Sequence, residues 1–92
     1  MAIRGFRHRG LRDLFVEGRS RRINPRFHGK IVDLLDILDA ATGTRDLVGV
    51  SGFHALKGDR KGTFSMVVSR NWRITFRLHR GDVSDVGWED YH

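Results

Sequence analysis

Phe64-Ser65-Met66-Val67-Val68-Ser69-Arg70-Asn71-Trp72-Arg73-Ile74-Thr75-Phe76-Arg77-Leu78-His79 is the stretch on which the fold class turns. Phe64, Met66 and Val68 alternate with Ser65, Val67 and Ser69. After a polar break, Trp72, Ile74, Phe76 and Leu78 alternate with Arg73, Thr75, Arg77 and His79. A period of two marks a strand with one buried face. Gly81-Asp82 then reads as a turn and Val83 to Trp88 as a third run, while Phe53 to Lys57 predicts a further strand upstream. Strands joined by such short connections form an antiparallel meander that offers one face to helices.

Before Asp46 the spacing is helical instead. Leu11, Leu14 and Phe15 share one face, with Gly18 as the stop, and Arg19 to Arg22 make a basic connection. Asn24-Pro25 supplies an N-cap residue followed by a proline at the first helical position. Phe27, Ile31, Leu34, Leu35 and Leu38 form one stripe, Asp33, Asp36 and Asp39 lie largely off it, and the helix is expected to end near Thr42-Gly43. Ile3 to Arg7 reads as a short, weak strand. A weak strand, two helices and then three or four strands make an α+β fold. The length of 92 residues predicts one domain over 1–92.

The strand register has a consequence for function. If Trp72, Ile74, Phe76 and Leu78 bury against the helices, Arg73, Thr75, Arg77 and His79 must share the opposite face. That row could bind phosphate, and it could equally be an ordinary solvated sheet face. Composition favours an anionic partner without choosing one. Seventeen Lys and Arg, mostly Arg, stand against eleven Asp and Glu, for a formal charge of +6. Such a balance attracts polyanions, and arginine matches phosphate geometry better than lysine does. The chain has no cysteine, which excludes disulfides and thiolate metal sites and fits a reducing compartment. No apolar run approaches the ~20 residues of a membrane span and no signal-peptide core follows Met1, so no membrane partner and a cytoplasmic location are expected.

Chemistry concentrates in two places. Trp88-Glu89-Asp90-Tyr91-His92 sets carboxylate, phenol and imidazole side by side. His54 and Lys57 stand three apart beside the first predicted strand, a spacing that serves one site only if the chain bends there. Gly58-Asp59-Arg60-Lys61-Gly62 follows as a charged turn without the pattern of a nucleotide-binding loop. The five histidines show no metal-ligand spacing, and a cation site built from Asp85, Asp90 and His92 has little to support it. No cofactor is implied. RNA cleavage suits these groups: a base for the 2′-hydroxyl proton, cations for the charge on phosphorus, and an acid for the departing 5′-oxygen.

Leu56-Lys57-Gly58-Asp59-Arg60-Lys61-Gly62, then Asn71-Trp72-Arg73-Ile74-Thr75-Phe76, then Glu89-Asp90-Tyr91-His92 resemble the HigB-type toxins, or plasmid maintenance system killer proteins, of the RelE/ParE superfamily. Phe6-Arg7-His8-Arg9-Gly10-Leu11 is similar to the family's usual start, so the likeness spans essentially the whole chain. Phe64 stands where the family often has tryptophan, and Ser69-Arg70-Asn71 lacks a glycine common in that hairpin. The resemblance implies two N-terminal helices on a twisted antiparallel sheet of about four strands. It also implies a ribosome-dependent endoribonuclease that cuts mRNA in the A site of the small ribosomal subunit. A cognate helix-turn-helix antitoxin is expected to hold it off, with operator DNA bound only through that complex.

Carried onto this chain, the implied catalytic set is His54, Lys57, Arg73, Asp90, Tyr91 and His92. Asp90 or His54 is the base and His92 the acid, Lys57 and Arg73 hold the phosphate, and Tyr91 orients the nucleotide. Arg19, Arg21, Arg22, Arg60, Lys61 and Arg77 are expected to meet RNA phosphates. Two other functions use the same fold or charge: poisoning of DNA gyrase, as in ParE-like members, and plain nucleic-acid binding.

Overall fold

Strand β3 (Trp72–His79) is the centre of the structure, because it is paired on both sides and buries Ile74, Thr75 and Phe76. The computed structural model describes residues 1–91. β2 (Thr63–Val67) and β4 (Asp82–Asp90) flank β3, and β1 (His54–Ala55) adds to β2, giving an antiparallel sheet in the order β1-β2-β3-β4. Helices α1 (Arg9–Glu17) and α2 (His28–Ala40) precede the sheet in the chain.

The alternating pattern sends Met66, Ile74, Phe76, Val83 and Val86 into the core with Leu11, Leu14, Ile31, Leu34, Leu35 and Leu38 from the helices. Phe53, Phe64 and Phe76 stack in series beneath the sheet, with centroids 5.6 and 5.7 Å apart along the series. Each fully buried leucine or phenylalanine contributes about 1.5–3 kcal/mol, so this stripe-on-face contact carries the fold.

The helices end as their local chemistry dictates. Gly18, at φ 78°, closes α1 in the left-handed conformation that residues with a Cβ adopt only under strain. His8 caps its start: the imidazole Nδ1 accepts the Gly10 N–H at 3.0 Å. Asn24 does accept from a backbone N–H, that of Arg26, but it opens a 3-10 turn at Pro25–Phe27 that leads into α2. The expected helix end at Thr42-Gly43 is corrected to Ala40, because Ala41 turns extended.

Two strand expectations also need correction. Phe53 to Lys57 shrinks to His54–Ala55, since the chain bends after Leu56 into a 3-10 turn at Gly58–Arg60. Ile3 to Arg7 forms two isolated parallel bridges, Ile3 to Val83 and Phe6 to Val86, rather than a strand. These bridges nevertheless lay the N-terminal segment along the outer edge of β4.

The third run departs most from simple alternation. Thr75 faces Gly87 while Arg77 faces Ser84, so β4 holds one more residue than β3 over the same interval. The extra residue makes a β-bulge at Asp85, whose φ is 53°. Val83 and Val86, three apart, are therefore both buried, and Gly87 and Glu89 move to the outer face of the sheet.

A β-branched residue tolerates that backbone poorly. Asp85→Val is expected to cost about 1–3 kcal/mol, whereas Asp85→Gly stays within about 1 kcal/mol of wild type. Urea denaturation midpoints of the two variants check this, and equal midpoints would remove the bulge from the account.

Candidate active site

The outer face is not the solvated surface that alternation alone allows. Direct cross-strand partners share a face, so His54, Ser65, Thr75 and Gly87 form one row across all four strands. Val67, Arg73 and Glu89 form the row on one side of it, and Thr63, Arg77 and Ser84 the row on the other. The middle row is small, and Ser65 and Thr75 are fully buried although they point away from the helices. Side chains from the flanking rows and from outside the sheet cover them.

Glu89 is where those side chains converge. Its carboxylate takes a fork from Arg60 at 2.6 and 3.2 Å, one bond from Arg73 at 3.1 Å, one from Arg7 at 3.3 Å, and the Thr75 hydroxyl at 3.2 Å. Arg60 foremost, then Arg73, holds the Glu89 carboxyl down at about 2, well below the ordinary 4.5 and against the opposing effect of its burial. Arg60 is pushed up in turn by the same bond. Gly87 makes room for this arrangement, because a Cβ there would stand 2.9 Å from Arg7 Nη2 and 3.1 Å from the Thr75 hydroxyl.

Around this centre lie most of the residues implied by the sequence. Arg73 is tucked between Glu89 and the Tyr91 ring, its guanidinium carbon 5.0 Å from the ring centroid. Tyr91 is held by its N–H bond to the Asn71 carbonyl at 2.8 Å. His54 is exposed at the far end of the small row, and its Nδ1–H donates to the Gly52 carbonyl at 2.9 Å. That bond leaves Nε2 as the lone-pair nitrogen of the neutral ring. Lys57 is exposed at the bend before the Gly58–Arg60 turn, so the bend that a joint role with His54 requires is present. Asp90 ends β4 opposite Trp72 and so falls in register with the face of Trp72 and Ile74, not with that of Arg73 and Glu89. His92 lies outside the described residues.

The expected RNA-contacting arginines divide into two groups. Arg60, Lys61 and Arg77 border the outer face; Arg77 donates to the Thr63 hydroxyl at 3.2 Å, and Lys61 is exposed just after the Gly58–Arg60 turn. Arg19, Arg21 and Arg22 belong to a separate groove formed by α1 and the connection that follows it, lined also by Asp13, Glu17 and Ser20. There Arg22 approaches Asp13 at 3.8 Å and the Ser20 hydroxyl donates to Asp13 at 2.9 Å. Among the described residues, no three carboxylate or imidazole groups gather as a metal ion would require. No helix among them is long and apolar enough to cross a membrane.

Sequence reasoning put Thr75 on the candidate phosphate-binding row but left Arg7 and Glu89 without a place in the site. Both Arg7 and Glu89 fall inside quoted motifs, and the one signal for their partnership is that the chain's opening and closing motifs each carry a charge of opposite sign. Their meeting depends on the parallel bridges and the bulge, neither of which a period-two pattern reveals.

Comparison with known proteins accords with this geometry. The fold is that of RelE-superfamily toxins: a chain of the toxin–antitoxin complex RelBE2 from Mycobacterium tuberculosis superposes with a TM-score of 0.56 at 19% identity, covering 97% of this chain and 95% of that one. The YoeB/ParE toxin from Agrobacterium tumefaciens gives 0.58 at 18% identity, covering 100% and 99%. Residues 4–92 match the family model of the HigB-like toxins, described as RelE-like toxins of type II toxin–antitoxin systems. The endoribonuclease HigB of Proteus vulgaris is 40% identical over 91 residues, which span 98% of this chain and 99% of the relative. The chain belongs to the HigB-like toxin family.

The depressed Glu89 carboxyl makes stability depend on pH. The contribution is complete above the ordinary value of 4.5 and is lost as pH falls from there toward about 2. Wild type is therefore expected to exceed Glu89→Gln by about 1–2 kcal/mol near neutrality, allowing for the exposure of Arg7 and Arg60. That difference should shrink steadily between pH 4.5 and 2 in urea titrations; a difference independent of pH would mean the ion pairs do not carry it.

Proposed function

We propose that this chain is an endoribonuclease toxin that cuts mRNA on the ribosome, in the A site of the small subunit. The observation that carries the reading is the outer sheet face, where arginines surround a floor of small residues with His54 in the same row and Tyr91 stacked on Arg73. A phosphodiester fits such a surface, because guanidinium groups fixed before binding stabilise charge developing on phosphorus without reorganising.

The 2′-hydroxyl attacks the adjacent phosphorus, forming the 2′-oxygen–phosphorus bond and breaking the bond to the 5′-oxygen. His54 Nε2 or Asp90 takes the 2′ proton, and His92 gives a proton to the departing 5′-oxygen. Lys57 and Arg73 hold the phosphate, and Tyr91 orients the nucleotide. Both proton transfers are within the reach of histidine near neutral pH, and the positive charge comes from the protein's own side chains. Arg60, Lys61, Arg77, Arg19, Arg21 and Arg22 meet ribosomal RNA through phosphates, contacts that set position and carry no sequence information. A cognate helix-turn-helix antitoxin restrains the toxin, and operator DNA is reached through their complex. The family match and the relative in Proteus vulgaris support this assignment.

Induced expression in bacteria of wild type, Arg73→Ala and His92→Ala, with mRNA 5′ ends mapped on translated and untranslated transcripts, tests the proposal. Wild type should produce new ends in translated messages only. Each variant should reduce them about 100-fold or more, the range for losing one transition-state donor or proton donor. Growth arrest without new ends would point to gyrase poisoning, and cuts that survive both changes would place the active site elsewhere.

A further inference from the structure

The Glu89 cluster holds more positive charge than its carboxylate answers. Three guanidiniums converge on one carboxylate, a formal excess of two charges. Arg73 Nε is buried with no acceptor, and guanidinium donors far outnumber the lone pairs of a single carboxylate. The Glu89 oxygens accept five contacts within 3.3 Å from four different side chains, a crowding that suits the several oxygens of a phosphate.

The arginines also differ in how they are held. Arg7 and Arg60 are 59% and 42% exposed, so an anion from solvent can reach them directly. Arg73, at 17%, is pinned by Glu89 and Tyr91.

We propose that Glu89 occupies, in the free toxin, the seat of an RNA phosphate, and that RNA binds by exchange: Arg7 and Arg60 leave Glu89 for the incoming phosphate while Arg73 stays bonded to it. This makes Arg7 a substrate-binding residue and Glu89 a built-in competitor. It rests on the reading of this face as the RNA site. The exchange keeps two exposed guanidiniums oriented over the small row before substrate arrives, which lowers the ordering cost of binding. It also means that affinity is deliberately submaximal, because the entering phosphate must compete with a carboxylate that is ionised at every physiological pH.

The distinguishing property is that stability and affinity move in opposite directions when Glu89 is neutralised. A residue that merely props up the site would lose both. The probe is a single-stranded RNA dodecamer, 2′-O-methylated throughout so that it cannot be cleaved. It is titrated by fluorescence anisotropy against wild type, Glu89→Gln, and Asp36→Asn, from about 50 to 300 mM KCl, a range over which phosphate contacts dominate. Asp36→Asn makes the same change in net charge on the exposed face of α2, so it removes the generic electrostatic gain.

Glu89→Gln is expected to melt at a lower temperature than wild type and yet bind at least about threefold tighter than Asp36→Asn. Its salt dependence should be steeper by about 0.7 or more, the increment for one added phosphate contact on a single strand. Binding no tighter than that of Asp36→Asn overturns the exchange.

Wild type supplies a second measurement that no misfolding can obscure. Adding the same oligonucleotide should shift the side-chain NMR signals of Arg7 and Arg60 much more than that of Arg4, an exposed arginine paired with Asp82 at the other end of β4, and equal shifts would overturn the proposal. Cleavage of ordinary translated mRNA is read separately: its absence with the exchange intact refutes the nuclease alone, and its presence without the exchange refutes only the role given to Glu89.

Discussion

Val83 and Val86 are both completely buried although they stand three positions apart, and a strand can do that only by carrying an extra residue between. Asp85 is that residue, set in a backbone conformation that short polar side chains tolerate and β-branched ones resist. Had β4 alternated strictly from Val83, Gly87 and Glu89 would face the helices. A carboxylate would then enter a core of leucine, isoleucine and phenylalanine, where an unpaired charge is prohibitive. The bulge instead keeps Val86 and Trp88 with the core and delivers Glu89 to Arg73 and Thr75. The N-terminal segment steps in time with it: its bridges at Ile3 and Phe6 are also three apart, matching Val83 and Val86. Arg7 thereby arrives over Gly87, the one position on β4 with no side chain to obstruct it.

Delivery of Glu89 explains how a strongly basic face remains folded. Arg73 alone on a half-buried strand would leave a guanidinium desolvated without compensation, and Thr75 would bury a hydroxyl without a partner. One carboxylate pairs with Arg73 Nη2 and the Thr75 hydroxyl and fastens two further arginines, one from the N-terminal segment and one from the Gly58–Arg60 turn. The excess charge that remains is what a polyanion can use. Structural and functional demands therefore meet on the same atoms: enough compensation to fold, too little to be neutral.

Much of this architecture is legible in the sequence, and the limits have physical causes. The stripe Ile31, Leu34, Leu35 and Leu38 announces α2 because a helix repeats its environment every turn. The alternation through Phe76 announces β3 for the same kind of reason. Phe53 to Lys57 misleads because two residues of pairing leave too little period to read, and the Gly58 turn at φ 68° takes over. The site is legible residue by residue, in that His54, Arg73 and Tyr91 are brought to one face. Its organiser is not, because Glu89 looks like any polar strand residue until the bulge assigns it a side. Arg19, Arg21 and Arg22 are legible as a basic connection, but only the folded chain sets them in a groove with Asp13 and Glu17.

The Arg7–Glu89 contact joins positions 82 residues apart, so the site closes only when the two ends of the chain come together. Local elements such as α1 and α2 can form early, since short loops cost little entropy, whereas this contact must wait for the whole meander to be in register. Undocking of the N-terminal segment takes Arg7 out of the cluster while Arg60, Arg73 and Thr75 remain on Glu89. That separation has a chemical meaning. The opening motif Phe6-Arg7-His8-Arg9-Gly10-Leu11 and Glu89 of the closing motif are remote in sequence but meet in space. His8 caps α1 through the Gly10 N–H, Gly10 lets Ile23 pack within 2.9 Å of where a Cβ would be, and Arg7, just before His8, reaches Glu89. A chain whose first ten residues must dock before the Glu89 cluster is complete makes that gathering of arginines contingent on finishing the fold.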